Sequence, residues 1–276
     1  MKTWFITGAS RGFGALVAER ALAQEDAVVA TARNPAAVTQ RLGHHPNLFA
    51  AVLDVTDEAQ VKSTVANAIE RFGQIDVLLN NAGFGLMGAV EEASAAEIEA
   101  VYRTNVFGLL NVTRAILPSM RKQRSGRILN ISSIGGYRSA AGFGIYCSTK
   151  FAVEGLSEAL HDELAPLGIQ VTLVEPGYFR TDFLDASSLC VSPARIADYA
   201  ATAGKVREVA AGLSHNQPGD PAKLANVLVA FANEPNPPVR LPLGSDTVAA
   251  IEAKHSADRA MLSRWRDVAI TTDFAD

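Results

Sequence analysis

Short apolar runs alternate with longer stretches of helical spacing over the first two thirds of the chain. Thr3-Trp4-Phe5-Ile6-Thr7 predicts a strand, Gly8 to Gly14 a glycine-rich turn, and Ala15 to Ala23 a helix. Further strands are predicted at Ala27 to Thr31, Leu48 to Leu53, Val77 to Leu79, Arg127 to Ser132 and Gln170 to Glu175. Between them lie a helix from Ala59 to Phe72 with an apolar stripe at Val61, Val65, Ala68, Ile69 and Phe72, a long helix from Ala95 to about Met120 with Asn105 midway, and a third from Ile145 to about Ala165. This alternation implies an α/β fold: a parallel, doubly wound sheet with right-handed crossovers and a ligand crevice outside the carboxyl ends of the strands.

After Pro176-Gly177 the regularity ends. Residues 178 to 216 mix aromatic and aliphatic side chains with Ser, Ala and Gly, which predicts a partly helical lid over the crevice, with some of Tyr178, Phe179, Phe183, Leu184 and Tyr199 facing a substrate. Pro221 to Ala232 reads as a helix with Asp220 as its cap, and Pro237 to Pro242 as an edge strand, where proline is tolerated. Asp246 to about Val268 reads as a final helix that packs on the domain or on a partner subunit. With no repeat and no linker, residues 1 to 276 are expected to form one domain.

Composition narrows the class. The 276 residues are 48% hydrophobic, enough for a large core. No apolar run is long enough to span a membrane, and the chain opens on a strand instead of a leader, so a soluble, cytoplasmic protein is expected. A net charge of −4 with scattered Lys and Arg argues against a nucleic-acid surface. Cys147 and Cys190 form neither a disulfide framework nor a metal-ligand spacing with the five histidines, and no metal is expected.

The chemistry concentrates at the predicted strand ends. A strand, a glycine turn and a helix form a phosphate-binding arrangement, because missing side chains and free helix N–H groups let the backbone approach a pyrophosphate. The spacing here is Gly8-x-x-x-Gly12-x-Gly14. Beyond the second strand, where a carboxylate would accept from a ribose 2′-hydroxyl, stand Ala32 and Arg33, with Arg11 as a second cation, which points to NADP over NAD. Asp54 either accepts from an adenine amino group or caps the helix starting near Glu58. Asn80-Asn81-Ala82-Gly83 lets backbone pass close to a ribose while its amides pin neighbouring strands.

Tyr146 and Lys150 are four residues apart and share a helical face. An ammonium about 4 Å from the phenol, at an effective dielectric of about 20, would lower the phenol by on the order of 4 kcal/mol, or about three pK units, toward neutrality. Ser133, at the end of a strand, would hold a substrate oxygen beside it.

Taken together, the glycine turn, Asn80-Asn81-Ala82-Gly83, Asn105, Ser133, Tyr146-x-x-x-Lys150 and Pro176-Gly177 resemble the short-chain dehydrogenase/reductase family over almost the whole chain. The resemblance implies a single-domain, seven-stranded Rossmann fold and a catalytic tetrad of Asn105, Ser133, Tyr146 and Lys150. It also implies a nicotinamide cofactor, NADP(H) preferred and NAD(H) possible, held by Gly8, Ser10, Arg11, Gly12, Phe13, Gly14, Arg33, Asp54, Val55, Asn81, Ala82, Gly83, Tyr146, Lys150, Pro176, Gly177 and Thr181. The expected reaction interconverts a ketone or aldehyde and an alcohol on a largely apolar small molecule, in a homodimer or homotetramer, with Asn105 positioning a water behind Lys150. The alternatives are an NAD-linked alcohol or hydroxysteroid-type dehydrogenase and a non-catalytic dinucleotide sensor, against which an intact tetrad argues.

Overall fold

The structure is a computed structural model describing residues 1–274. Its elements in chain order are β1 (Thr3–Ile6), α1 (Gly12–Ala23), β2 (Ala27–Ala32), α2 (Pro35–Leu42), β3 (Leu48–Val52), α3 (Glu58–Phe72), β4 (Val77–Asn80), β5 (Gly85–Met87), α4 (Ala95–Tyr102), α5 (Leu109–Gln123), β6 (Gly126–Ile131), α6 (Gly144–Leu164), β7 (Ile169–Pro176), β8 (Leu189–Val191), α7 (Lys205–Leu213), α8 (Pro221–Phe231), β9 (Arg240–Leu243) and α9 (Ser245–Ile270). Seven strands form one parallel sheet in the order β3-β2-β1-β4-β6-β7-β9. The order reverses between β1 and β4, the switch point at which such sheets open a crevice.

Alternation along β1 divides the core. Trp4 and Ile6 face one layer with Val17 and Ala21 of α1 and Leu224 and Leu228 of α8. Phe5 faces the other, with Val61 and Val65 of α3 and Val112 and Ile116 of α5. Both faces are covered, so the central strands are buried along their whole length and mostly apolar rather than alternating.

A polar seam crosses this apolar interior. The Asn80 amide donates to Thr113 Oγ1 and Asn130 Oδ1, each at 2.9 Å, and Asn130 donates to Ser157 Oγ at 2.8 Å. These bonds join β4, α5, β6 and α6.

Several expectations are corrected. The long helix through Asn105 is interrupted by a π turn at Arg103–Gly108, where one extra residue per turn displaces the helix axis. Asp57 caps α3 through Gln60 N–H at 3.0 Å, so Asp54 is not the cap. Asp220 does cap α8. The short helix α2, capped by Asn34, falls where no helix was expected.

The lid is more regular than anticipated: β8 pairs in parallel with β5, and α7 follows. Helix α9 packs on the body through its first half, as far as His255 against Tyr137. Met261, Leu262, Trp265 and Val268 are each more than half exposed. Among the described residues no helix is long and apolar enough to cross a membrane.

The seam generates a test of stability. Asn80→Ala should lower the unfolding free energy, and with it the urea midpoint, by roughly 1 to 3 kcal/mol for each buried partner left unpaired. An unchanged midpoint would show that the seam carries no stability.

Candidate active site

A cavity of about 900 Å³ opens along the carboxyl ends of the sheet. Its first wall is the turn after β1. Gly8 has φ +65°, and a side chain there would come within 3.0 Å of Ala82 Cα. A Cβ on Gly14 would lie 2.6 Å from both Asn81 Nδ2 and Gly8 O, so helix α1 can start here only without one. Asn81 Nδ2 donates to Thr7 O at 2.9 Å and Gly8 O at 3.0 Å, while Thr7 Oγ1 accepts from the N–H groups of Asn81 and Ala82. Arg11 occupies the N-cap position of α1 without a side-chain cap, so the N–H groups of the first turn are not spent on one. This backbone cradle fits the diphosphate of a dinucleotide.

Ser10, Arg11, Gly12 and Phe13 line the cavity beside Gly8, and Gly14 is buried behind them. Arg33, exposed after β2, stands at the rim, as do Asp54 and Val55 after β3. The Asp54 carboxylate accepts from Thr56 N–H at 2.9 Å and Oγ1 at 2.8 Å. The guanidinium of Arg11 donates to the Ser187 carbonyl of the lid. Asn81, Ala82 and Gly83 complete this side.

The floor is formed by Ser133, Tyr146 and Lys150. Burial pushes the phenol of Tyr146 well above its ordinary value, and the neighbouring Ser133 hydroxyl opposes the shift. Lys150 Nζ donates to Ile131 O at 2.8 Å and lies 5.8 Å from the centre of the Tyr146 ring. The expected acidified phenol is therefore not found, because desolvation dominates and the ammonium is aimed at β6. Burial pulls Lys150 itself down to about 8, against an opposing pull from Glu154.

Asn105 does not reach the cavity wall. Its Oδ1 accepts from Phe84 N–H at 3.0 Å, and its Nδ2 donates to Phe84 O at 2.9 Å and Thr149 Oγ1 at 3.1 Å. The side chain thus holds the segment before β5 against α6.

Pro176, Gly177, Tyr178 and Thr181 line the side that follows β7. Phe183 leans over Tyr146 with ring centres 5.6 Å apart, and Phe143 packs edge-on from the other side at 6.3 Å. Leu184 joins Phe143, Leu189 and Met87 in a small apolar cluster. Phe179 also lines the cavity but is buried against Phe13, so it serves mainly the core. Tyr199 lies away from the site and donates to Glu91 at 2.6 Å.

Three features were not foreseen. Asp246, on the first turn of α9, lines the cavity and accepts from Tyr178 N–H at 2.7 Å. Beneath the floor, Arg240 pairs with Glu154, Glu175 and Glu158, and Ser132 donates to Glu154. Burial pushes Glu154 above the usual carboxylate range. Its position one turn beyond Lys150 was the available signal; the partners on β7 and β9 were not visible from spacing. In the lid, Asp182, Asp185 and His215 approach one another within 4.8 Å, His215 meeting Asp185 at 3.2 Å.

Fold and cradle define a dinucleotide-binding Rossmann protein. A family profile described as short chain dehydrogenase matches residues 2–189. Oxidoreductase BOA17 of Botryotinia fuckeliana is 38% identical over 98% of this chain and 99% of its own. A 3-ketodihydrosphingosine reductase of Bacteroides thetaiotaomicron is 39% identical over 87% and 86%. The crystal structure of a short-chain dehydrogenase from Streptomyces avermitilis superposes with a TM-score of 0.92 at 41% identity, covering 99% of this chain and 100% of that one. Among solved structures of this fold, one holds NAD and another NADP+. The chain belongs to the short-chain dehydrogenase family, and is an oxidoreductase that uses a nicotinamide cofactor.

The buried ammonium sets a pH dependence. Because the folded pKa of Lys150 lies near 8, below its ordinary 10.5, the charge destabilises the fold below about pH 8. That penalty is relieved as pH rises from 8 toward 10.5. The unfolding free energy of the wild type should therefore climb relative to Lys150→Met by roughly 3 kcal/mol across that window. A flat difference in denaturant titrations would place the ammonium in water.

Proposed function

We propose that this protein is an NADP(H)-dependent carbonyl reductase acting on a largely apolar ketone or aldehyde. The observation that carries the reading is the placement of Ser133, Tyr146 and Lys150 together at the foot of a pocket walled by Phe143, Phe183 and Leu184. A relative named for the reduction of a ketodihydrosphingosine supports an apolar keto substrate.

The bound cofactor supplies the hydride. The amides at Gly8 to Gly14 would hold its diphosphate, Asn81 to Gly83 and Lys150 the ribose near the reacting end, and Pro176, Gly177 and Thr181 the nicotinamide. Asp54 and Val55 would hold the adenine, and Arg33 with Arg11 the 2′-phosphate. Ser133 donates to the substrate carbonyl oxygen and holds it beside Tyr146. A phenol raised by burial is protonated at neutral pH and delivers its proton to the developing alkoxide. Lys150 then stabilises the phenolate, and Asn105 acts as a positioning residue through Phe84 and Thr149. The aromatic and aliphatic lid leaves few partners for a polyhydroxylated substrate, and each hydroxyl buried unpaired would cost roughly 1 to 3 kcal/mol. Exposed Phe107, Phe151 and Trp265 support assembly into a homodimer or homotetramer.

Tyr146→Phe is expected to abolish NADPH-linked reduction of an aryl ketone while leaving NADPH affinity, read by calorimetry, nearly unchanged. Retained turnover would remove Tyr146 as the acid. In the same assay, a wild-type preference for a polyhydroxylated substrate would refute the apolar pocket.

NADPH should be preferred to NADH, and Arg33→Ala should narrow that preference about ten- to a hundredfold through KM, the worth of a charge-assisted hydrogen bond to phosphate. Equal use of both cofactors by the wild type would overturn the assignment.

A further inference from the structure

Gln217 is 1% exposed and lines the cavity, yet neither Nε2 nor Oε1 of its side chain meets a protein partner. A buried primary amide with both atoms unpaired is costly, roughly 1 to 3 kcal/mol for each group, and such groups are rare in folded proteins. The backbone on either side is well held. Gln217 O accepts from Arg180 Nε and Nη2 at 3.3 Å, Arg180 N–H donates to Gly219 O at 2.9 Å, and Gly219 N–H donates to Tyr178 O at 3.0 Å. The end of the lid is thereby stitched alongside the turn that follows β7, and the amide is presented to the cavity by a rigid support.

We infer that Gln217 is a cofactor-binding residue whose side-chain amide pairs with the carboxamide of the nicotinamide ring. The inference rests on the functional reading above. A partner for this amide must offer an acceptor and a donor side by side. Phosphate offers acceptors only, and the hydroxyls of the ribose near the reacting end are already assigned to Lys150 and the segment from Asn81 to Gly83. Adenine offers both, but its place beyond β3 is five strand spacings from β7, about 24 Å away. The carboxamide has both groups, with Gln217 Nε2 donating to its carbonyl and Gln217 Oε1 accepting from its NH2. Because the ring can rotate about its bond to ribose, a second amide at this edge would fix which face is presented to the substrate.

The experiment compares wild type and Gln217→Met by calorimetric titration with NADP+, with its 3-acetylpyridine analogue, which keeps the carbonyl and lacks the NH2, and with 2′,5′-ADP, which lacks the ring. NADP+ should bind Gln217→Met roughly five- to tenfold more weakly. The analogue should lose affinity in wild type and lose less in the variant, while 2′,5′-ADP should bind both alike. The empty variant should melt at the same temperature or higher, since it no longer buries an unpaired amide. A lower melting temperature would show that the amide is satisfied in the empty protein through ordered water, and equal loss with 2′,5′-ADP would place Gln217 elsewhere; either result overturns the inference. The same analogue-to-NADP+ ratio in both proteins also overturns it. Failure of wild type to bind either NADP+ or NAD+ would instead overturn the functional reading.

Discussion

The carboxamide of Asn81 fits between two carbonyl oxygens of the first glycine turn, and much of the site follows from that fit. Thr7 O and Gly8 O accept from one Nδ2, while Thr7 Oγ1 accepts from two backbone N–H groups of the facing segment. Side chain and backbone thus lock the ends of β1 and β4 together at the switch point of the sheet. The lock occupies the space a Cβ on Gly14 would need, so glycine is required there by a neighbour as well as by any ligand. Once the two strand ends are fixed, the direction of α1 and the opening of the crevice follow.

The floor of the crevice is built on the opposite principle, with charge placed where charge is costly. Lys150 is buried on α6, Glu154 lies one turn below it, and Glu175 on β7 is fully buried, with Arg240 from the edge strand serving both carboxylates. Breaking such a buried network by removing one member is far more destabilising than its net contribution suggests. The consequence is mechanical: α6, β7 and β9 are held to one another directly beneath Tyr146 and Ser133, so the phenol and the serine sit on a support with little freedom to shift.

The sequence made the parallel strands legible because they are buried on both faces and read as apolar runs, and it made the glycine turn legible because its spacing is local. Tyr146 and Lys150 were placed on one face by helical periodicity alone. Spacing carries no information about burial or aim, however, and the ammonium proved to be directed at Ile131 O. Gln217 and Asp246 reach the site from about forty and seventy residues beyond the β7 turn, through contacts that no periodicity encodes. Strands β5 and β8 are three residues each, too short for alternation to register. The π turn at Asn105 was not legible, since its sequence is compatible with an ordinary helix.

The pairing of β5 with β8 attaches the lid through main-chain bonds, Gly85 opposite Leu189 and Met87 opposite Val191. Such bonds are indifferent to side-chain identity, apart from the inward Leu189, whose Cδ1 crowds Gly85. Attachment and recognition are therefore written in different atoms of the same segment. Substitutions at Phe183 or Leu184 would reshape the cavity wall while the ladder keeps the segment in place.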